Sequence, residues 1–406
     1  MSGPLADLRV IELCDELGQL AGKLLADMGA DVVKVEPPAG SSARRVGPFV
    51  KDIPGPNRSL NFWYYNTNKR SAVLDFEGDA GAMDVLRQLI LHADVLIEDR
   101  APGHLVSLGL DLEALRRANP RLIVCSITPF GQDGPWAHYR SSDLVGLAAG
   151  GPMGMNGYSP EDVEGAPPIH GKGDQAYNTA CHFAVMGILA ALLHRDLTGQ
   201  GQAIDCSMHE ALNSTTEVGL PHWIYSGKNV IRQTGRHAAL HRTEPWLKRA
   251  KDGRYVLVFG VGRWEQLKAW MQEHGFGLQF DEPRFDDPLA RQAGRGTREA
   301  AEIYAELDRF IGSFDAEFIY RGAQSIRLPW GPVLAPHETL DDPHWRDRGF
   351  FVSTTGEGVD HPVEMPGAPY IFTATPWELR RPAPKLGEHT AEVLAEIGRP
   401  SMVTGS

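Results

Sequence analysis

The sequence predicts an α/β protein built on a doubly wound parallel sheet, and three features of the chain favour that class. Short β-branched runs alternate with helical stretches over the first 130 residues. The texture changes near residue 225, where a smaller α+β region begins, and a helix at 388–397 is expected to return the chain to its first part. Alternation of this kind is typical of right-handed βαβ units, which form parallel sheets.

The elements of the alternating part follow from apolar runs and from the helical period. Strands buried on both faces are expected to be nearly continuous Val, Ile and Leu runs. The predicted strands are 8–13, 31–36, 72–76, 95–98, 121–127 and 203–206, and the predicted helices are 18–28, 80–92, 176–193 and one that begins at Met208. Ligands of such a sheet gather at the carboxyl ends of the strands.

The smaller region is predicted to be an α+β domain. Its predicted elements are a strand at 254–259, helices at 263–274 and 298–314, and a polar connection rich in Pro and Asp at 280–294. The chain is therefore divided into a large domain at 1–224, a small α+β domain at 225–328, and a C-terminal return to the large domain at 329–406.

Composition excludes several classes of partner. The chain has 406 residues, of which 42% are hydrophobic and 23% charged, and its net charge is −12. Scattered Lys and Arg on so acidic a chain argue against nucleic acid and against an anionic membrane surface. The apolar run at 180–193 is shorter than the ~20 residues of a membrane span, so it is interpreted as a core helix.

The N-terminus and the cysteines indicate a cytoplasmic protein without a metal site. No charged segment followed by an apolar segment opens the chain, so no secretory signal is expected. Cys14, Cys125, Cys181 and Cys206 lie far apart and show no Cys-x-x-Cys spacing, which predicts reduced, buried thiols. Residues 14–19, after the first strand, lack the Gly-x-Gly-x-x-Gly fingerprint of dinucleotide-binding proteins.

The most informative stretch is Gly171-Lys172-Gly173-Asp174, directly before the central helix. Backbone N–H groups and the helix dipole favour negative charge at this position, so Asp174 is predicted to be ionised and able to attack. Aspartate is also a preferred N-cap residue, and the alternative is that Asp174 only caps the helix.

Seven phrases spread along the chain resemble the class III CoA-transferase family, which also includes the related α-methylacyl-CoA racemases. They are GKLLADMGADVVKVE at 22–36, NKRS at 68–71, ADVLIE at 93–98, GQDGP at 131–135, GD at 173–174, TGQGQ at 198–202 and LGEHT at 386–390. Each phrase is weak alone, but their order and separations make the resemblance specific.

The resemblance implies a Rossmann-like large domain, a small inserted domain and an interlocked homodimer. It places Asp174 on the family's catalytic aspartate, which exchanges coenzyme A (CoA) between an acyl-CoA and a free carboxylic acid through an aspartyl-CoA thioester. It implies CoA and acyl-CoA as substrates, with no permanently bound cofactor and no metal.

CoA carries several phosphates, so an acidic chain needs local cations to bind it. By resemblance, Arg140 falls where a CoA-contacting lysine is common, and Leu74 falls where an apolar residue packs against the adenine. Four further predicted CoA contacts are Arg100, after a parallel strand, Arg45, after the second strand, and Lys172 and Gly173, in the turn before Asp174. Solvated surface charges are the alternative for Arg100 and Arg45.

Transfer and racemisation differ in the bases they need. The racemase branch has a His-Asp pair where this chain has Ser142 and Asp143, and serine is not a base near neutral pH without assistance. Transfer is therefore favoured. A racemase that pairs Asp174 with a residue such as His170, and a CoA-binding module without turnover, stay open as alternatives.

The sequence does not identify the two acids. Trp223, Tyr225 and Trp246 suggest an apolar or aromatic acyl pocket, although aromatic residues in that number more often belong to the core.

Overall fold

The computed structural model describes residues 3–217, 219–292 and 296–398. Its strands are β1 Arg9–Leu13, β2 Asp31–Glu36, β3 Arg70–Val73, β4 Val95–Glu98, β5 Ile123–Thr128, β6 Ala203–Ser207, β7 Leu247–Arg249, β8 Tyr255–Leu257, β9 Gly331–Pro332, β10 Phe351–Thr354 and β11 Val363–Pro366. Its α-helices are α1 Gln19–Asp27, α2 Leu60–Tyr65, α3 Ala80–Leu91, α4 His104–Ser107, α5 Leu112–Ala118, α6 Asp143–Ala149, α7 Pro152–Met155, α8 Gln175–Thr198, α9 Met208–Asn213, α10 Gly219–Ser226, α11 Trp264–Glu273, α12 Arg298–Ser313, α13 Ala316–Ser325, α14 Pro343–Asp347 and α15 Thr390–Glu396. Short 3₁₀ helices lie at Ser42–Arg45, Val50–Asp52, Leu278–Asp281, Pro283–Phe285 and Pro336–Asp341.

Strands β1 to β6 form one parallel sheet in the order β3-β2-β1-β4-β5-β6. This is the classic doubly wound order, in which the chain runs outward from a central strand in both directions. Strands β4 and β5 are buried along their whole length, as expected for a sheet covered on both faces. The predicted α/β class and the parallel sheet are confirmed.

The third strand begins two residues earlier than predicted, at Arg70. This charged residue can open a strand because ion pairs with carboxylates compensate its charge. Arg70 aligns with Val33 of β2 and forms ion pairs with Asp31, Glu392 and Glu396. A strand that opens on a charged residue gives no apolar signal, so the prediction at 72–76 was displaced toward the apolar residues that follow.

Helix α8 extends five residues beyond the predicted end at Leu193. Arg195 in its last turn is buried and pairs with Asp94 at 2.8 Å, so the charged residues that suggested a helix end continue the helix instead. By length and composition α8 is apolar enough to cross a membrane. A single such helix is weak grounds for a span, since the core helix of a soluble protein passes the same test.

A buried ion-pair network joins β1 and β2 to Lys69, the residue before β3, and to the start of α1. The carboxylate of Glu12 binds the ammonium groups of Lys34 at 2.8 Å and Lys69 at 2.7 Å, and all three side chains are fully buried. Lys69 also donates to the carbonyl of Gln19, in the first turn of α1, at 2.7 Å. Because removing one partner of such a network leaves an uncompensated buried charge, these pairs fix the strands to the helix that follows them.

The described chain divides into two compact units. Unit 1 is drawn from residues 1–150, 171–215 and 342–406, and unit 2 consists of 151–170 and 216–341. Unit 1 contains the parallel sheet, and unit 2 contains the antiparallel sheet β7-β8-β9 and an aromatic-rich core with α11, α12 and α13. The predicted boundaries at 224 and 328 stay a prediction, because compact packing does not establish independently folding domains.

Segment 151–170 is one place where the units differ from the predicted division. Gly157 pairs with Pro168, and the backbone N–H of Ser159 donates to Thr234 at 3.1 Å. These contacts lie within unit 2. The predicted division places this segment in the large domain at 1–224, because nothing in its sequence indicates which part of the chain it packs against.

Candidate active site

The turn ahead of α8 holds Gly173 and Asp174 in left-handed backbone conformations, with φ angles of 101° and 53°. A non-glycine residue in this region is strained, and such residues cluster at functional sites. Asn178 fixes the turn: its side-chain amide donates to the Gly173 carbonyl at 3.0 Å and its backbone N–H donates to the Asp174 carbonyl at 2.8 Å. The Tyr65 hydroxyl donates to Asn178 Oδ1 at 3.2 Å.

Asp143, rather than Asp174, caps the first turn of α8. The backbone N–H of Ala176 donates to Oδ1 of Asp143 at 2.7 Å, and the side chain of Asp174 accepts no capping hydrogen bond. A capping carboxylate satisfies one of the N–H groups that have no partner inside the helix. Asp174 therefore occupies the N-cap position while its carboxylate is left for another role.

Burial and the nearby Asp143 carboxylate raise the pKa of Asp174 above its ordinary value. A hydrogen bond from the Asn61 side chain and the charge of Lys172 act in the opposite direction, while Glu16 raises the pKa further. The pKa of Asp174 is therefore raised overall, whereas the helix dipole alone would lower it. The carboxylate is thus less well stabilised than an ordinary surface aspartate, which favours a reactive nucleophile.

We expect the acid limb of the pH–rate profile to move when Lys172 is changed. A carboxylate attacks only when it is ionised, so an activity that uses Asp174 as nucleophile should fall at a higher pH than an ordinary aspartate would allow. Lys172→Met removes a cation that lowers this pKa, so the acid limb of kcat, measured at saturating substrate, should move to still higher pH. Initial rates from pH 4 to 9 measure the acid limb. An acid limb that stays at the parental pH contradicts its assignment to the ionisation of Asp174.

A cavity of about 610 Å³ lies at the carboxyl ends of β1, β4 and β5. Its lining includes Asp15 and Glu16 after β1, Arg100 after β4, and Arg140. Tyr177, one turn into α8, also lines it, so the cavity reaches the start of the helix that carries Asp174. This is the edge at which open α/β sheets bind their ligands.

The structure brings two of the predicted CoA-binding arginines to this cavity. Arg100 is half-buried, and its guanidinium pairs with the carboxylate of Asp15 at 2.9 Å. Arg140 is exposed at the cavity wall. Arg140 therefore offers a solvated cation to a ligand, whereas Arg100 is already oriented by a carboxylate.

The other predicted contacts lie in different surroundings. Leu74 is 3% exposed and packs in the hydrophobic core of unit 1, and Arg45 is exposed at the end of the 3₁₀ helix Ser42–Arg45. Neither lines the cavity. Lys172 and Gly173 lie in the turn beside Asp174, where the Lys172 carbonyl accepts a hydrogen bond from the Gln175 amide at 3.3 Å. Their roles stay predictions.

The turn between β1 and α1 is held by a side chain from the next strand of the sheet. Both carboxylate oxygens of Asp99, which follows β4, accept the backbone N–H of Asp15, at 3.0 and 2.9 Å. The backbone N–H of Gly18 donates to the same carboxylate at 3.0 Å. Burial and the neighbouring Asp15 charge raise the pKa of Asp99 to about 7.

Ser142, which stands where racemases have histidine, is the N-cap of α6. Its hydroxyl accepts the backbone N–H of Val145 at 3.3 Å. His138 lines the cavity, four residues before Ser142 in the chain. The position therefore holds a helix cap instead of a base.

Sequence reasoning missed the roles of Asn61, Asp99 and Asp143. Asn61 and Asp99 have no motif around them, because their partners are distant in sequence. Asp143 does have a local signal for a helix start, since it follows the N-cap Ser142 at the beginning of an apolar helix. Nothing in the sequence, however, links its carboxylate to α8.

Within residues 3–217, 219–292 and 296–398, no group of three or more His, Cys, Asp and Glu side chains could hold a metal ion. The four cysteines are free and buried, and burial raises the pKa of Cys181 to about 12 and that of Cys206 to about 11. Such thiols are inert.

Comparison with known proteins gives a family match and full-length relatives. Residues 5–390 match the model of CoA-transferase family III. The chain is 35% identical over 399 residues to the succinyl-CoA:(R)-benzylsuccinate CoA-transferase subunit BbsE of Thauera aromatica, which covers 97% of this chain and 94% of the relative. It is 34% identical to the succinate–glutarate CoA-transferase of Agrobacterium fabrum, with 97% and 96% covered.

Solved structures show the same fold. A CAIB/BAIF family protein from Brucella suis superposes with a TM-score of 0.81 at 28% identity, covering 98% of this chain and all of that protein. The protein Rv3272 from Mycobacterium tuberculosis superposes with a TM-score of 0.77 at 25% identity, covering 96% of this chain and 99% of that chain.

Proposed function

This chain belongs to CoA-transferase family III, and from that premise we propose that it moves CoA between an acyl-CoA and a free carboxylic acid through an aspartyl-CoA thioester on Asp174. As a family III CoA-transferase it is an enzyme of class EC 2.8.3. The observation that carries the finer proposal is the carboxylate of Asp174, which lies at the head of α8 without capping it.

The first half-reaction takes CoA from the donor. The Asp174 carboxylate attacks the thioester carbonyl and forms an oxygen–carbon bond. The carbon–sulfur bond then breaks, CoA leaves as a thiolate, and the acyl group stays on Asp174 as a mixed anhydride. The thiolate then attacks the aspartyl carbonyl and expels the donor acid as a carboxylate. The enzyme now carries CoA as a thioester.

The second half-reaction is the reverse with another acid. The incoming carboxylate attacks the aspartyl thioester and forms a new anhydride, and the released thiolate attacks the acyl carbon of that acid. Asp174 is regenerated as a carboxylate. Because one thioester replaces another, the overall reaction is close to thermoneutral and needs neither ATP nor a Lewis acid.

The neighbours of Asp174 suit this chemistry. The Asn61 amide, which hydrogen-bonds the carboxylate, orients it and can donate to oxygen as negative charge develops on the anhydride. Partial burial limits access of water, which would hydrolyse the anhydride. Racemisation is not favoured, since Ser142 caps α6 where that branch needs a base.

The phosphates of CoA are proposed to bind at the cavity of unit 1 through Arg140 and Arg100. Arg140→Ala should raise the KM for acyl-CoA about tenfold, because a charge-assisted hydrogen bond contributes roughly 1.5–3 kcal/mol. The plateau kcat should change little. Steady-state kinetics at two salt concentrations measure the effect, which should shrink at high salt.

The matched control is Arg121→Ala, an exposed arginine that precedes β5 at the opposite edge of the sheet. It should leave KM unchanged, and equal effects of the two substitutions would show that the arginines act only through net charge. Arg45→Ala in the same assay tests the remaining predicted contact. A KM within twofold of the parent removes Arg45 from the CoA site.

The acids are proposed to include a dicarboxylic acid. The relatives are named for succinyl-CoA, (R)-benzylsuccinate, succinate and glutarate, and Lys172 provides a cation beside Asp174. Incubation with a panel of acyl-CoAs, followed by hydroxylamine or borohydride trapping and mass spectrometry, identifies the donor and the modified residue. Modification of another residue, or none with any donor, counts against the proposal.

The assembly is proposed to be a homodimer in the cytoplasm. Apolar side chains recur every three or four residues along one exposed face of α8: Phe183, Met186, Leu189, Leu193 and Leu197, the last two 65% and 80% exposed. An apolar stripe of this kind marks an interface. Because one relative is named as a subunit, light scattering of the purified chain should distinguish a homodimer from a monomer that awaits a different partner chain.

A further inference from the structure

Unit 2 contains a cavity of its own, of about 630 Å³. The loop Gly260–Gly262 forms one wall, and a Cβ added at Gly260 or Gly262 would meet nothing within 4 Å. Trp246 and Phe259, in edge-to-face contact at 4.8 Å between ring centroids, form an aromatic wall. The volume exceeds what a two- to four-carbon acid fills and lies within the range of pockets that enclose organic ligands.

The charges in this cavity have one sign. Arg263 and Arg291 line it, and among the described residues that line it there is no aspartate or glutamate. In the part of the chain that the structure describes, Arg263 forms no ion pair with a carboxylate. Two guanidinium groups without a lining carboxylate are unusual on a chain of net charge −12, and they favour an anion.

The two arginines are held differently. Arg291 donates to the carbonyl of Phe285 at 2.6 Å and lies over the ring of Trp264, 5.2 Å from its centroid. Arg263 is exposed and precedes α11 in a left-handed conformation, with φ of 54°. Arg291 is therefore anchored, while Arg263 has its whole guanidinium available to pair with a ligand.

We propose that the cavity of unit 2 binds a carboxylic acid that carries an aryl or bulky apolar group. The aromatic wall of Trp246 and Phe259 contacts the apolar body, and Arg263 pairs with the carboxylate. The ligand class rests on the proposed function, because carboxylic acids are the substrates of a CoA-transferase. The cavity itself is observed independently of Asp174.

The test compares two acids that differ only in a phenyl group, 3-phenylpropionate and propionate. Isothermal titration calorimetry on the full-length protein measures both dissociation constants. We expect 3-phenylpropionate to bind at least about tenfold more tightly, since burial of a phenyl ring removes a large apolar area from water. Equal affinities, or no binding of 3-phenylpropionate, overturn the proposal.

Two substitutions locate the binding. Phe259→Ala removes a side chain that is 52% exposed, so the fold should tolerate it, and the preference for the phenyl acid should fall to about twofold or less. Arg263→Gln should weaken both acids about tenfold. Arg298→Gln, an exposed arginine of α12 in the same unit, is the matched control and should change neither affinity.

Unchanged affinities in both cavity variants place the acid elsewhere and overturn the proposal. Failure of the proposed function has a different signature. If 3-phenylpropionate binds as expected and no acid ever accepts CoA, the cavity assignment stands while the transferase mechanism falls. If short acids accept CoA and 3-phenylpropionate neither binds nor reacts, the mechanism stands while the cavity assignment falls.

Discussion

Asp174→Asn should abolish exchange of CoA between acids, with kcat lowered at least about a thousandfold. The amide keeps the size and polarity of the side chain but cannot form the mixed anhydride. Exchange of isotopically labelled CoA between acyl-CoA and a free acid measures the rate. Mass spectrometry should show a CoA adduct on the parent protein and none on the variant.

Binding of acyl-CoA separates lost chemistry from lost structure. The dissociation constant for CoA should stay within about twofold of the parent, because Asp174 is not among the described residues that line the cavity of Arg100 and Arg140. Asp133→Asn, an exposed aspartate in the loop after β5, is the matched control and should retain full activity. A variant at Asp174 that transfers CoA at the parental rate would falsify the mechanism.

Asp143→Ala should lower kcat about a hundredfold while leaving CoA affinity nearly unchanged. The substitution removes the acceptor for the Ala176 N–H, and the nearest acidic replacement is the side chain of Asp174, which already occupies the N-cap position. Once Asp174 caps the helix, its carboxylate turns away from the thioester, and displacement of a reacting group by about 1 Å costs on the order of a hundredfold.

Asp143→Asn separates the two effects of this carboxylate. The amide oxygen can still accept the Ala176 N–H, so Asp174 should stay uncapped and kcat should stay within a few-fold of the parent. Loss of the charge removes a group that raises the pKa of Asp174, so the acid limb of the pH–rate profile should move to lower pH. Equal losses in the Ala and Asn variants would show that charge, and not capping, is what Asp143 contributes.

The fold was predictable from the sequence because parallel strands carry their own signal. Val10 and Ile11 of β1, like Val95, Leu96 and Ile97 of β4, are apolar and fully buried. Runs of this kind are read directly from the letters. Arg70 shows the limit of that signal. It opens β3 as a charged residue whose compensating carboxylates lie as far away as Glu396, and no local pattern contains that information.

The candidate site was predictable in part. Gly173 and Asp174 are predicted because a short motif precedes a long apolar helix. Arg100 is predicted from its place after a parallel strand and Arg140 from the family resemblance, and the structure brings these two arginines to one cavity. The support around them was not found, because the capping bond from Ala176 to Asp143 spans 33 residues and the hydrogen bond from Asp15 to Asp99 spans 84. Such contacts are set by the packed tertiary structure.

The carboxylate of Asp99 has a consequence for what this sheet can hold. In doubly wound proteins that bind NAD or FAD, the backbone N–H groups of the first βα turn donate hydrogen bonds to the diphosphate. Here the N–H groups of Asp15 and Gly18 already donate to the side chain of Asp99, which the chain supplies itself. A dinucleotide diphosphate that bound in this turn would have to displace the Asp99 carboxylate from both N–H groups.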